Sequence, residues 1–121
     1  MTTIERFEDL QSWQKARRLT HLIYDLTEHP KFCKDFHLRG QIQDAAGSVM
    51  HNIVEGFGAG TNPEFIRFLK MSRRSASAVQ SELYLALDRN YISPDELASA
   101  YNLVTETKRL MNGMIRYLRK S

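Results

Sequence analysis

The sequence has 121 residues, of which 42% are hydrophobic and 26% are charged, as in an ordinary globular domain. The formal net charge of +3 favours an anionic partner only weakly, and the single cysteine excludes an intramolecular disulfide. No signal peptide or membrane-spanning run is indicated, so we expect one cytoplasmic domain over residues 1–121, with no membrane association.

Four helices are predicted in chain order, each bounded by residues that start or stop helices. The first runs from about Asp9 to Glu28, where His29-Pro30 stops it, because the residue before a proline disfavours the helical conformation. The second runs from about Asp35 to Phe57. It ends at a cluster of glycines, which helix C-termini prefer.

The third predicted helix begins at Asn62-Pro63-Glu64, with asparagine as the expected N-cap, and runs to about Asn90. The fourth begins at Ser93-Pro94-Asp95-Glu96, which has the spacing of a capping box, and runs to about Lys120. Apolar residues recur at helical spacing in all four segments, and strand-type alternation is absent. Because short loops join long helices, the sequence predicts an all-α, up-down-up-down antiparallel four-helix bundle.

The fourth predicted helix has more apolar residues than one core-facing stripe needs. Leu103, Leu110 and Tyr117 recur every seven residues away from the first stripe, and the second helix has a similar flank. Such residues stay exposed unless another chain covers them or the helix is central enough to bury both stripes. We expect a homo-oligomer. The candidates for subunit contact are Met50, Val54, Leu103, Leu110, Met114 and Tyr117.

Motifs for catalysis or metal binding are not evident. No histidine has a glutamate three residues before it, and no His-Glu-x-x-His or Cys-x-x-Cys motif occurs. His51 and Glu55 share a helix face, but an isolated pair of this kind is usually a surface contact. We therefore predict a protein that is not an enzyme and that has no metal, cofactor or small-molecule substrate.

A polar stripe flanks the apolar face of the second predicted helix. Polar groups in such a position must be solvated or hydrogen-bonded, so we interpret the stripe as a buried network that fixes helix register. Its members are Gln41, Ser48, Asn52 and Glu55. A ligand-binding site is the alternative. The corresponding enzyme hypothesis uses Asn52, Glu55 and Ser75 in a helix-lined pocket.

Basic residues cluster on the last two predicted helices. Arg67 to Arg74 includes four positive charges, and Lys108 to Lys120 includes five without an acid, although Lys108 interrupts the core-facing stripe. Guanidinium groups on a rigid helix suit phosphate contacts, so RNA or DNA binding is a hypothesis, beside a solvated face or recruitment of an acidic protein. No aromatic platform is evident beside the charges. The candidate residues are Arg67, Lys70, Arg73, Arg74, Arg109, Arg116 and Lys120.

Three motifs resemble a known family. Phe7-Glu8-Asp9-Leu10-x-x-Trp13-x-x-Ala16 is similar to the opening of the four-helix-bundle proteins encoded in 23S ribosomal RNA intervening sequences. The most specific stretch is Gln41-Ile42-x-x-Ala45-Ala46-x-Ser48-Val49-x-x-Asn52-Ile53-x-Glu55-Gly56. Phe65-Ile66-x-Phe68-Leu69 resembles the start of that family's third helix. The resemblance covers nearly the whole chain.

The resemblance implies an up-down bundle, a ring-like homopentamer and no established catalytic activity. It also implies a relationship in fold to the accessory proteins of diversity-generating retroelements, which bind nucleic acid and a reverse transcriptase. This chain departs from the family pattern at Arg74-Ser75-Ala76-Ser77-Ala78, where the family usually has Gly-Ser-x-x-Glu. The change removes a polar partner from any site shared by the second and third helices, and Arg74 adds a positive charge.

Overall fold

Five α-helices follow a short 3-10 turn in residues 4–121, the part of the chain that the computed structural model describes. The turn is Phe7–Asp9, and the helices are α1 (Gln11–Thr27), α2 (Pro30–Lys34), α3 (Phe36–Phe57), α4 (Asn62–Asp88) and α5 (Pro94–Lys120). No strand occurs in this range. The predicted all-α class is therefore confirmed, and the four long helices correspond to the four predicted ones.

Each long helix packs against the next one along the chain, and α5 packs back against α1. Short loops join α3 to α4 and α4 to α5. Helices that are neighbours both in sequence and in space, with short connections, run antiparallel. The arrangement is therefore the predicted up-down-up-down bundle.

The helix ends differ from the prediction at three points. The first long helix begins only after the 3-10 turn, and Pro30, which follows its end, starts the unpredicted helix α2 because proline suits a first helical turn. Thr61, not Asn62, is the N-cap of α4, and its hydroxyl accepts a hydrogen bond from the Glu64 N–H. The Asn62 amide instead donates to the Leu118 carbonyl at 3.3 Å, which links the start of α4 to the end of α5.

The predicted capping box starts α5. The Ser93 hydroxyl accepts from the Glu96 N–H at 3.1 Å, and Glu96 Oε1 accepts from the Ser93 N–H at 2.8 Å. The second carboxylate oxygen of Glu96 lies 2.6 Å from His29 Nε2 and so ties α5 to the end of α1. The bond from the Ser93 backbone, and then the contact with His29, lower the pKa of the Glu96 carboxyl.

Small residues allow α3 and α4 to approach closely. A Cβ atom added at Gly56 would lie 2.8 Å from Phe65 Cδ1 and 2.9 Å from Phe68 Cβ, closer than carbon atoms pack. Ser72, which is fully buried, donates its hydroxyl to the Val49 carbonyl at 2.8 Å. The contact between α3 and α4 therefore has no space for a ligand at these positions.

Candidate nucleic-acid interface

Polar and aromatic side chains border the outer side of the contact between α4 and α5. We call this surface the α4–α5 face. On each helix its members recur at intervals of three, four or seven residues, so they project on the same side. Its residues are Arg73, Gln80 and Tyr84 on α4 and Tyr101, Thr105, Lys108 and Asn112 on α5.

Hydrogen bonds across the α4–α5 face hold two cations in place. The Lys108 ammonium donates to Gln80 Oε1 at 2.7 Å, and Gln80 Nε2 donates to the Thr105 hydroxyl at 3.3 Å. One turn further along α5, Arg73 Nη1 donates to Asn112 Oδ1 at 2.7 Å. Each cation is thus positioned by an uncharged side chain of the opposite helix.

Among residues 4–121, Arg73 and Lys108 form a cation pair without an acidic partner. Both side chains are half-buried, and neither makes an ion pair with any residue of 4–121. Burial, and then the positive charge of Arg73, lower the pKa of Lys108. Like charges that are held near each other and partly shielded from water raise the free energy of the site. A bound anion would lower it.

Apart from Arg67, five further basic residues of the predicted interface lie on the same two helices as this pair. Lys70 is half-buried on α4, and no ion pair to it or to the exposed members occurs within residues 4–121. These positions therefore keep uncompensated positive charge. The exposed members are Arg74, Arg109, Arg116 and Lys120.

Arg67 differs from the other predicted basic residues because an acid compensates it. Its Nε and Nη2 atoms donate to Glu64 Oε2 at 3.1 and 2.9 Å. Its guanidinium carbon also lies 4.5 Å from the centre of the Phe68 ring. The hydrogen bonds raise the pKa of Arg67 and lower that of Glu64. Because Glu64 already neutralises its charge, Arg67 should attract an anion less strongly than the sequence alone predicts.

Lys108 and its partners were not among the predicted interface residues. In the sequence, Lys108 interrupts the core-facing apolar stripe of the fourth predicted helix. In the structure it lies at the edge of that stripe and donates a hydrogen bond to Gln80. A lysine that interrupts an apolar stripe needs a hydrogen-bond partner, and this need was the signal in the sequence that could have identified Lys108 as an interface residue. The identity of Gln80, Thr105 and Asn112 as partners depends on the pairing of α4 with α5, which neither helix determines alone.

The four polar residues of the α3 stripe do not form the buried network that we expected. Gln41 and Glu55 are exposed, and the Asn52 amide donates to the carbonyl of Ser48 in its own helix at 2.9 Å. All four lie about 100° or more around the helix from the fully buried Ile53, and so at the edge of the core or outside it.

The enzyme hypothesis is not supported by a convergent cluster. Glu55 is exposed, and Ser75, although half-buried, has no side-chain hydrogen bond among residues 4–121. In the same range, no group of three or more His, Cys, Asp or Glu side chains has the arrangement of a metal site. The helices there also lack the combined length and apolarity that a membrane span requires.

The second apolar stripe of α5 is only partly exposed. Leu103 and Met114 pack against the core of their own chain, as does Met50 on α3. Leu110 and Tyr117 border an open cleft of about 400 Å³, and the Tyr117 side chain is 48% exposed. The half-buried members of the predicted contact set are Met50, Val54, Leu103, Leu110 and Met114.

A family sequence model matches residues 8–113, which is most of the chain. It is that of the 23S rRNA-intervening sequence protein family. The chain belongs to this family. The resemblance of its motifs is thereby confirmed, and the 23S rRNA-intervening sequence proteins are not a known family of enzymes.

A solved structure shares the fold. It is the crystal structure, at 1.70 Å resolution, of a protein of unknown function from the S23 ribosomal protein family of Bacteroides thetaiotaomicron. The TM-score is 0.79 over 86% of this chain and 97% of that chain, with 24% sequence identity. A comparison with curated proteins gave no match. The likeness shows the same helical bundle in both proteins.

Proposed function

We propose that this 23S rRNA-intervening sequence protein is a non-catalytic, self-associating protein that binds RNA or another nucleic acid through the outer sides of α4 and α5. The observation that carries the proposal is the cation pair of Arg73 and Lys108, in which each cation is held by an uncharged side chain, Asn112 or Gln80. A phosphodiester supplies the negative charge that the pair lacks. The name of the family, which refers to 23S rRNA, is consistent with an RNA partner.

Further cations near the pair extend the surface along both helices. Arg116 follows Asn112 by about one turn on α5, and Lys70 precedes Arg73 by about one turn on α4. Each can add a phosphate contact. A few such contacts in one protomer give weak, non-specific binding, typically with Kd of about 10⁻⁴ to 10⁻⁶ M at physiological salt.

Self-association would multiply these contacts. The part of the α5 apolar stripe that borders the open cleft, at Leu110 and Tyr117, is the surface that we propose for contact between copies. A ring-like homopentamer, as the family resemblance implies, repeats the α4–α5 face around the assembly. A long polyanion that engages several copies at once should gain roughly 10² or more in avidity.

The test removes the two charges but keeps a hydrogen-bond donor at each position. In a titration of a labelled, structured rRNA fragment at low and moderate salt, R73Q/K108Q should bind about tenfold or more weakly than the wild type. The slope of log K against log salt should also fall by about 1.4 to 1.8, because two phosphate contacts are lost. The matched control is R18Q/K34Q, which removes two exposed charges from α1 and α2 and should bind like the wild type.

Three results would contradict the proposal. The first is no RNA binding by the wild type at low salt, and the second is equal binding by R73Q/K108Q. The third is a monomer at micromolar concentration in sedimentation or light scattering, which would end the self-association part. Binding of an acidic polypeptide but not RNA, lost in R73Q/K108Q, would favour the recruitment of an acidic protein instead.

A further inference from the structure

An aromatic pair lies on the same surface as the two cations. The rings of Tyr84 on α4 and Tyr101 on α5 have centroids 5.8 Å apart and planes inclined by 69°. Tyr84 is 49% exposed, and Tyr101 is half-buried. The two tyrosines are far apart in the sequence, and the packing of α4 against α5 brings them together. This is why the sequence did not predict an aromatic platform beside the charges.

The aromatic pair continues the row of polar contacts. Tyr84 lies one turn beyond Gln80 on α4, and the carbonyl of Tyr101 accepts a hydrogen bond from the Thr105 hydroxyl at 3.2 Å. Lys108 lies two turns beyond Tyr101 on α5, about 10 Å along the helix axis. The α4–α5 face thus presents a half-exposed tyrosine ring and a pair of positive charges on one side of the molecule.

We infer that the α4–α5 face binds single-stranded nucleic acid, with an unpaired base stacked on Tyr84 beside Tyr101 and with phosphates at Lys108 and Arg73. This inference rests on the proposed function and specifies the class of nucleic acid that it takes. From Arg73 to Tyr84 the face extends about 16 Å along α4, which is about five nucleotides at the 3.4 Å spacing of a B-form strand and fewer in an extended one.

The choice of a single strand follows from what an exposed ring can contact. In a duplex the base faces are covered by neighbouring bases, so a tyrosine ring on a helix surface has only phosphates and sugars to meet. An unpaired base offers its face, and stacking on an aromatic side chain accepts any base. Binding should therefore prefer single strands over duplexes without strong preference for sequence.

Charge limits where the strand can lie. Asp88 is exposed one turn beyond Tyr84 on α4, and its carboxylate would repel a phosphate. Except for Arg89, which follows the end of α4, the cations on these two helices that make no ion pair within residues 4–121 lie in the other direction, towards Arg116 at the far end of α5. A bound strand should therefore extend from the tyrosines towards the C-terminal end of α5 rather than past Asp88.

The experiment compares three probes of equal length: a labelled single-stranded RNA, its duplex, and an abasic strand that keeps the phosphates but lacks the bases. Y84A should bind the single strand about 5- to 150-fold more weakly than the wild type, and should bind the duplex and the abasic strand as the wild type does. Y84F keeps a stacking ring and should retain wild-type binding. Y24A is the matched control, because Tyr24 on α1 is also 49% exposed.

The failure of this inference can be distinguished from the failure of the proposed function. If the wild type binds all three probes equally and Y84A changes none of them, binding is by charge alone and the single-strand inference is overturned. If Y24A weakens binding as much as Y84A, stacking at the α4–α5 face is also excluded. If no probe binds at low salt, the proposed function itself fails. Thermal unfolding of each variant confirms that it is folded under the assay conditions.

Discussion

Helix α4 contacts its two neighbours in different ways. Towards α3 it packs through small residues, with Gly56 against two phenylalanines and the buried Ser72 bonded to the α3 backbone. Towards α5, the outer side of the contact consists of long polar side chains that bond to each other, among them Gln80 and Lys108. The first contact is closed by close packing and a buried hydrogen bond. The second leaves charges and rings available to a partner, which is why our proposed function is placed there.

The largest expected effect is at the α3–α4 contact. G56A should lower the free energy of unfolding by about 2 kcal/mol, because the added methyl group would overlap Phe65 and Phe68 unless the helices separate. Urea or thermal unfolding measures it. The control is G40A, also in α3, where the added Cβ would meet no atom of residues 4–121 within 4 Å beyond its chain neighbours and the nearby helix backbone, and alanine should stabilise by about 0.5 to 1 kcal/mol. Equal effects of the two substitutions would mean that the close approach at Gly56 is not limiting.

The next effect is at the start of α5. S93A should cost about 1 kcal/mol in the free energy of unfolding, because the Glu96 N–H loses its hydrogen-bond acceptor. S99A, in the exposed part of the same helix, should change stability by less than about 0.5 kcal/mol. A S93A protein as stable as the wild type would show that the capping box does not hold α5 in place against α4.

A smaller effect tests the α3 side of α4. Glu82 lies almost four turns after Phe68, hence on the side of α4 that faces α3, and its Oε1 atom is buried without a hydrogen-bond partner among residues 4–121. Burial raises the pKa of Glu82 above its ordinary 4.5. Protonated Glu82 therefore favours the folded state at low pH, and this contribution is lost as the pH rises through the folded pKa.

E82Q should consequently raise the melting temperature at pH 7, with a gain of up to about 1 kcal/mol in the free energy of unfolding. The gain should disappear below about pH 4, where Glu82 is protonated in both the folded and the unfolded chain. E55Q, at an exposed position of α3, should give no comparable gain at either pH. A gain independent of pH would attribute the effect to something other than the charge.

The smallest effect is at the α4–α5 face. Because the pKa of Lys108 is lowered in the folded state, the charged form of Lys108 destabilises the folded state at pH values below that pKa. The lost stability returns as the pH rises from the folded pKa to the higher pKa that Lys108 has in the unfolded chain. K108Q should therefore be slightly more stable than the wild type at pH 7, by less than about 0.5 kcal/mol, with a smaller difference at pH 10. K34Q, at an exposed position of α2, should change the free energy of unfolding by less than about 0.5 kcal/mol at pH 7. A clear loss of stability in K108Q would mean that its bond to Gln80 outweighs the charge repulsion.

What the sequence could predict depends on whether the determinants are local. The four long helices and the Ser93–Glu96 capping box follow from residues close together in the chain, and the structure has both. Helix α2 was missed because Pro30 can both stop one helix and start the next. The cation pair and the tyrosine pair were missed because each joins two helices, and only their relative register brings the partners together.

The register between α4 and α5 is regular. The three facing pairs are Arg73–Asn112, Gln80–Thr105 and Tyr84–Tyr101. From one pair to the next, the position moves forward by seven and then four residues on α4, and backward by the same numbers on α5. Steps of seven and four in antiparallel helices are those of a heptad repeat, in which the facing side stays constant if the helices wind gently around each other. A single inserted residue in α5 would rotate everything after it by about 100° and separate the pairs beyond it. An inserted heptad would lengthen α5 by about 10 Å and keep the same side towards α4.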